Sequence, residues 1–89
     1  MPRAEISWKR RTPEGETLRI YAQHFGDQWQ FFVRGARYEQ RQPIDRPPLE
    51  DWIELLDAVR RRVGRGLLRP EEIRRVEEAI RARFPDAEL

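Results

Sequence analysis

Leu18-Arg19-Ile20-Tyr21-Ala22-Gln23-His24-Phe25-Gly26-Asp27-Gln28-Trp29-Gln30-Phe31-Phe32-Val33 places two period-two runs on either side of a glycine turn. Leu18, Ile20 and Ala22 alternate with Arg19, Tyr21 and Gln23, and Trp29, Phe31 and Val33 alternate with Gln30, Phe32 and Arg34. Side chains of a strand point to opposite faces in turn, so this pattern marks half-buried antiparallel strands. Gly26-Asp27 suits a two-residue turn with glycine first. A loop of known length sets the register. Ala22 then faces Phe31 and Ile20 faces Val33 on one side of the sheet, while Tyr21 faces Phe32 and Arg19 faces Arg34 on the other.

Working outward, Ile6 and Trp8 alternate with Ser7 and Lys9. Pro13-Glu14-Gly15 suits a three-residue hairpin loop with its glycine in the left-handed region. That loop puts Thr12 opposite Glu16, Trp8 opposite Ile20 and Lys9 opposite Arg19. The two hairpins, read independently, bring the apolar residues to one face, and agreement between turn chemistry and alternation supports both. A Gly35-Ala36 turn would add a fourth strand over 37–42, with Val33 facing Tyr38, Phe32 facing Glu39 and Arg34 facing Arg37. Strands thus occupy about 5–42.

Residues 42–48, Gln-Pro-Ile-Asp-Arg-Pro-Pro, read as a stiff extended connector. Leu49, Trp52, Ile53, Leu56, Val59 and Val63 follow at helical spacing, with Pro48 in the first turn and Gly64 or Gly66 as the cap. Leu67 and Leu68 are expected to fill the gap between helices. A second helix begins at Pro70-Glu71-Glu72, carries Ile73, Val76, Ile80 and Phe84, and ends at Pro85. The helices are expected over about 48–63 and 70–84, with Asp57–Arg61, Glu71–Arg75 and Glu77–Arg81 as i,i+4 ion pairs. The expected fold class is α+β: one small domain over 1–89, a three- or four-stranded antiparallel meander followed by two helices packed on one face of the sheet.

Composition removes several functions. The 89 residues contain no Cys, which excludes disulfides and thiolate metal sites. A lone His excludes a multi-histidine metal centre. Ser7 is the only Ser and His24 the only His, and the register sets them on opposite faces, so no Ser-His pair forms. Glu50-Asp51, Glu71-Glu72 and Glu77-Glu78 are adjacent pairs that do not face each other on a helix. Gly64-Arg65-Gly66 is too short for a phosphate-cradling loop and follows a helix instead of preceding one. No cofactor is implied, and an enzyme is not expected. The longest apolar run, Phe31-Phe32-Val33, cannot span a membrane, and the first residues show no apolar signal core. The expected setting is cytoplasmic.

Charged residues make up 38% of the chain, against about a quarter in an average domain. All but one of the 18 cations are arginine, yet the net charge is only +2. Acids from Glu50 to Asp57 followed by bases from Arg60 to Arg69 complement a helix dipole. The unusual feature is the outer sheet face. Lys9, Arg19, Arg34 and Arg37 are expected side by side across neighbouring strands, beside Tyr21 and Phe32. Like charges placed opposite each other destabilise a sheet, so an anionic partner that neutralises them would be favoured. Arg11 and Arg41 would extend the basic field, or Glu5, Glu16 and Glu39 would interleave with it and the two aromatics pack under arginine side chains.

The expected function is therefore a small non-catalytic interaction module, with Lys9, Arg19, Arg34 and Arg37 supplying charge and Tyr21 and Phe32 acting as anchors. Its partner would be an acidic protein or another subunit, and a homodimer is one such arrangement. Single-stranded RNA or DNA on the same face is the alternative, since aromatics beside a cationic row form a stacking platform. That combination is similar in logic to RNA-binding sheets, although the order of elements departs from the split βαβ pattern of the common RNA-recognition domain. A domain with no specific ligand is the remaining reading.

Overall fold

Each alternating run becomes a strand. The computed structural model describes residues 5–26, 28–35 and 40–89. In it β1 (Glu5–Arg11), β2 (Thr17–Phe25), β3 (Gln28–Arg34) and β4 (Gln42–Ile44) form one antiparallel sheet in the order β1-β2-β3-β4. Two helices follow, α1 (Leu49–Gly64) and α2 (Glu71–Arg83), giving an α+β chain of ββββαα order. The chain divides between Pro47 and Pro48 into two compact units, one of strands and one of helices.

The register of the first three strands is the one the loops imply. Trp8 pairs with Ile20 and Lys9 with Arg19, while Ile20 pairs with Val33, Tyr21 with Phe32 and Arg19 with Arg34. The first loop is closed by the Thr12 N–H donating to the Glu16 carbonyl at 2.8 Å and the Gly15 N–H donating to the Thr12 carbonyl at 2.9 Å. Gly15 has φ +88°, a left-handed conformation that glycine takes without the Cβ penalty. Thr12 adds its hydroxyl as acceptor for the Glu16 N–H at 3.1 Å. On the apolar face Ile6, Ile20, Ala22 and Phe31 are buried. Ala22, between Ile6 and Phe31, contributes only a methyl group. Trp8 reaches across β2 to meet Phe31 edge-on, with ring centroids 6.1 Å apart, an arrangement worth about 0.5–1.5 kcal/mol beyond the area it buries.

The fourth strand differs from expectation. Val33 pairs with Gln42, Phe32 with Pro43 and Phe31 with Ile44. A tight turn at Gly35-Ala36 would set Gln40 against the buried Phe31. The observed register puts Ile44 there and extends the apolar face. Pro43 has no N–H to donate, but an edge strand bonds on one side only and tolerates it. The expected pairing partners Arg37, Tyr38 and Glu39 lie outside the described residues, as does Asp27 of the second turn; Gly26 of that turn has φ +58°.

In the helical unit, α1 opens at Pro48, whose carbonyl accepts from the Asp51 and Trp52 N–H groups at 3.0 and 3.3 Å. Trp52, Leu55, Leu56, Ala58 and Val59 of α1 and Val76 and Ile80 of α2 are buried. Arg60 of α1 and Glu77 of α2 bridge at 3.1 Å. The expected i,i+4 pairs rearrange around that bridge. Glu77 is drawn to Arg60 instead of Arg81, and Arg75 takes Glu72, three residues away, at 2.9 Å instead of Glu71. No ion pair joins Asp57 to Arg61 among the described residues; Arg74–Glu78, at 3.5 Å, is the i,i+4 pair that forms.

Gly66, not Gly64, reverses the chain. Its N–H donates to the Val63 carbonyl at 3.0 Å, and the Leu67 N–H donates to the Arg62 carbonyl at 2.8 Å, with Gly66 at φ +75°. These are the two bonds of a Schellman cap. The cap turns Leu67 outward, and it is 61% exposed instead of filling the gap between the helices. Gly66→Ala forces a Cβ into a left-handed residue and is expected to cost about 1–2 kcal/mol. Gly64→Ala sits on helical backbone with open space around the new methyl and is expected to stabilise by about 0.5 kcal/mol. Thermal melts of the two variants should therefore shift in opposite directions; a parallel shift would contradict the cap.

Candidate functional site

The outer face of the sheet is built by the residues that alternate away from the apolar face. Three cross-strand rows matter. Lys9, Arg19 and Arg34 form the first, on β1, β2 and β3. Ser7, Tyr21, Phe32 and Pro43 form the second, and Glu5, Gln23 and Gln30 the third. Adjacent strands lie about 4.8 Å apart, so the three cationic side chains leave the backbone within roughly 10 Å of one another. A shallow recess of about 240 Å³ opens among Lys9, Thr17, Arg19, Tyr21, Arg34 and Gly35.

Arg19 is the centre of this recess. Lys9 and Arg34 flank it across the strands, and Thr17 and Tyr21 flank it along β2. Its guanidinium donates to the Ser7 hydroxyl at 3.4 Å, a long contact. Among the described residues no carboxylate lies within ion-pair distance of Lys9 or Arg19. The positive charges of Lys9 and Arg19 are thus left for solvent or for a partner.

Tyr21 and Phe32 are directly opposed on this face, as the register requires, but Tyr21 offers no open ring. Tyr21 is 8% exposed. The Arg41 guanidinium lies over its ring, 3.7 Å from the centroid. Two parallel hydrogen bonds of 3.0 Å hold that guanidinium to both carboxylate oxygens of Glu5. Gln23 donates a third bond to Glu5, also at 3.0 Å. Phe32 is half-buried opposite Pro43. Arg41 therefore closes over the aromatic row and is neutralised there; it does not enlarge the basic field. Glu5 interleaves as one expectation had it. Arg37, the fourth expected cation, lies outside the described residues.

Hydrogen bonds from Arg41 first, and from Gln23 next, hold the Glu5 carboxyl below its ordinary 4.5, and the same pair raises Arg41. Because the folded value is the lower one, this contact contributes stability above the unfolded value and loses it as pH falls through the folded value. Glu5 in the native protein should titrate below 4.5 when followed by carboxyl NMR, and Arg41→Gln should return it toward 4.5. A midpoint unmoved by that substitution would mean that the pair is not formed in solution.

Ser7 and His24 fall on opposite faces. His24 stacks on its cross-strand neighbour Trp29, with centroids 4.7 Å apart and planes 28° from parallel. In the helical unit Asp51 is fully buried near the start of α1, which alternation and dipole arguments do not anticipate, since they treat first-turn acids as solvated. Among the described residues no helix is long and apolar enough to cross a membrane. No family model, no curated protein and no solved structure matches this chain.

Proposed function

We propose that this chain is a non-catalytic binding module that engages an acidic protein surface with the outer face of its sheet. The observation that carries the reading is the row Lys9–Arg19–Arg34 around one recess, with no carboxylate within reach of Lys9 or Arg19 among the described residues. Like charges opposite one another destabilise strand pairing by up to about 1 kcal/mol per pair. An acidic partner would turn that repulsion into attraction, and its charge would also speed encounter.

Single-stranded RNA or DNA uses the same charges differently, because such binding draws on open aromatic faces. Here Tyr21 already carries the Arg41 guanidinium. A base could stack on Tyr21 only after Arg41 had left it, which favours the acidic protein partner.

The reading is tested by titrating the isotope-labelled protein with a glutamate-rich peptide at low salt. Saturable amide shifts at residues 7–11, 17–21 and 33–35, reversed by added salt, are expected. An unchanged spectrum would sink the proposal, and shifts centred on the helices would move the interface elsewhere.

A further inference from the structure

We infer that the recess around Arg19 is a site for a phosphoryl group carried on a side chain of the partner protein. The inference rests on the binding function proposed above and specifies its ligand. Lys9 and Arg19 meet there from adjacent strands, and Arg34 of the third strand lines the same recess. A single carboxylate brings one negative charge and two acceptor oxygens. A phosphoryl group brings about −1.5 to −2 and three acceptor oxygens. Its charge matches the two cations with no described carboxylate in reach, Lys9 and Arg19, better than a single carboxylate does, and an arginine fork bonds two of its oxygens in parallel.

The surroundings of Arg19 fit the same group. Thr17 and Tyr21 precede and follow it at two-residue spacing on one face, so hydroxyl-bearing side chains flank the cation along the strand while charges flank it across. A tetrahedral oxyanion placed over Arg19 would have Lys9 and Arg34 across the strands and the Thr17 hydroxyl along β2, with Tyr21 covered by Arg41.

The extent of the charge decides between a nucleic acid and a phosphorylated side chain. On the Tyr21 side the field stops at once. The next row is Ser7, Tyr21, Phe32 and Pro43, and the only described cation over it, Arg41, is paired with Glu5. The row after that is Glu5, Gln23 and Gln30. A nucleic-acid backbone presents a phosphate at every nucleotide and requires a track of cations. On the other side one more row adds Arg11 opposite Thr17, so among the described residues this face offers a short patch and not a track, and one phosphoryl group fits it.

The test compares four probes by amide NMR at fixed low salt: a short peptide with one central phosphoserine, the same peptide with serine, the same peptide with glutamate, and a mixed-sequence single-stranded RNA. The phosphopeptide is expected to bind at least about tenfold tighter than the glutamate peptide, with shifts at Lys9, Arg19 and Arg34 and none from the serine peptide. Arg19→Gln and Lys9→Gln, each with a dispersed spectrum that reports folding, should each reduce that preference. Equal binding of phosphoserine and glutamate peptides would overturn the phosphoryl site and leave the acidic-partner reading standing. Silence from both peptides would overturn both. Tighter binding of RNA than of phosphopeptide would overturn the side-chain source of the phosphate.

Discussion

Arg19→Glu is expected to abolish binding of acidic peptides and, at the same time, to make the protein more stable. Arg19 faces Lys9 on one side and Arg34 on the other. The substitution converts two like-charged cross-strand pairs into two opposite-charged ones. Cross-strand pairs are worth roughly 0.2–1 kcal/mol each, so the net gain should be about 0.5–2 kcal/mol at low ionic strength. Salt should shrink it, because exposed charges are screened. The long contact to Ser7 is lost, a small debit. Denaturant titration should show a raised midpoint with an unchanged slope, and the peptide titration should show no saturable shift. A variant that binds normally would make the row incidental; one that unfolds more easily would mean that Arg19 is neutralised within the native protein. The combination of gained stability and lost binding is the mark of a residue kept for recognition at the expense of the fold.

The largest stability effect is expected from Ile20→Ala. Ile20 is wholly buried at the centre of the sheet, between Trp8 and Val33. Truncation leaves a cavity that its neighbours only partly fill, and such substitutions cost about 2–5 kcal/mol. A chain of this size holds only about 5–10 kcal/mol in total, so a melt should fall by more than about 10 °C. Lys9→Ala, one position away on β1 but on the other face, should stay within about 0.5 kcal/mol of the parent. Similar costs for the two would mean that the faces are exchanged, as a one-residue slip would produce.

That register is legible in the residues themselves because two constraints agree. Pro13-Glu14-Gly15 and Gly26 set loop lengths, and the alternation of Ile6, Trp8, Ile20, Ala22, Phe31 and Val33 independently requires the same pairing. The fourth strand lacks this agreement. Gly35-Ala36 offers a plausible tight turn, while Pro43 argues locally against any strand, and only the demand for an apolar residue opposite Phe31 selects Ile44. The cation row of the first three strands follows from the register and is equally legible. The Arg41 cover over Tyr21 is not, because it depends on where β4 lies and on an ion pair 36 residues apart in sequence. Leu67 fails for a different reason. Its apolar character suggests burial, but the left-handed Gly66 before it directs the chain outward, and cap geometry prevails over hydrophobicity there.

The three-residue strand with Pro43 at its middle closes one border of the sheet to growth. A neighbouring chain extends a sheet by matching an uninterrupted line of main-chain donors and acceptors, and a proline in so short a strand breaks the line. The opposite border, β1, runs seven residues and ends in Lys9, Arg10 and Arg11, so a second copy laid against it in parallel and in register would set cation against cation, whereas an antiparallel copy would set Glu5 against Arg11. The two borders thus oppose in-register parallel stacking by different means, one by missing hydrogen bonds and one by charge. The same basic end of β1 that borders the cation row therefore also disfavours in-register parallel fibril growth along that flank.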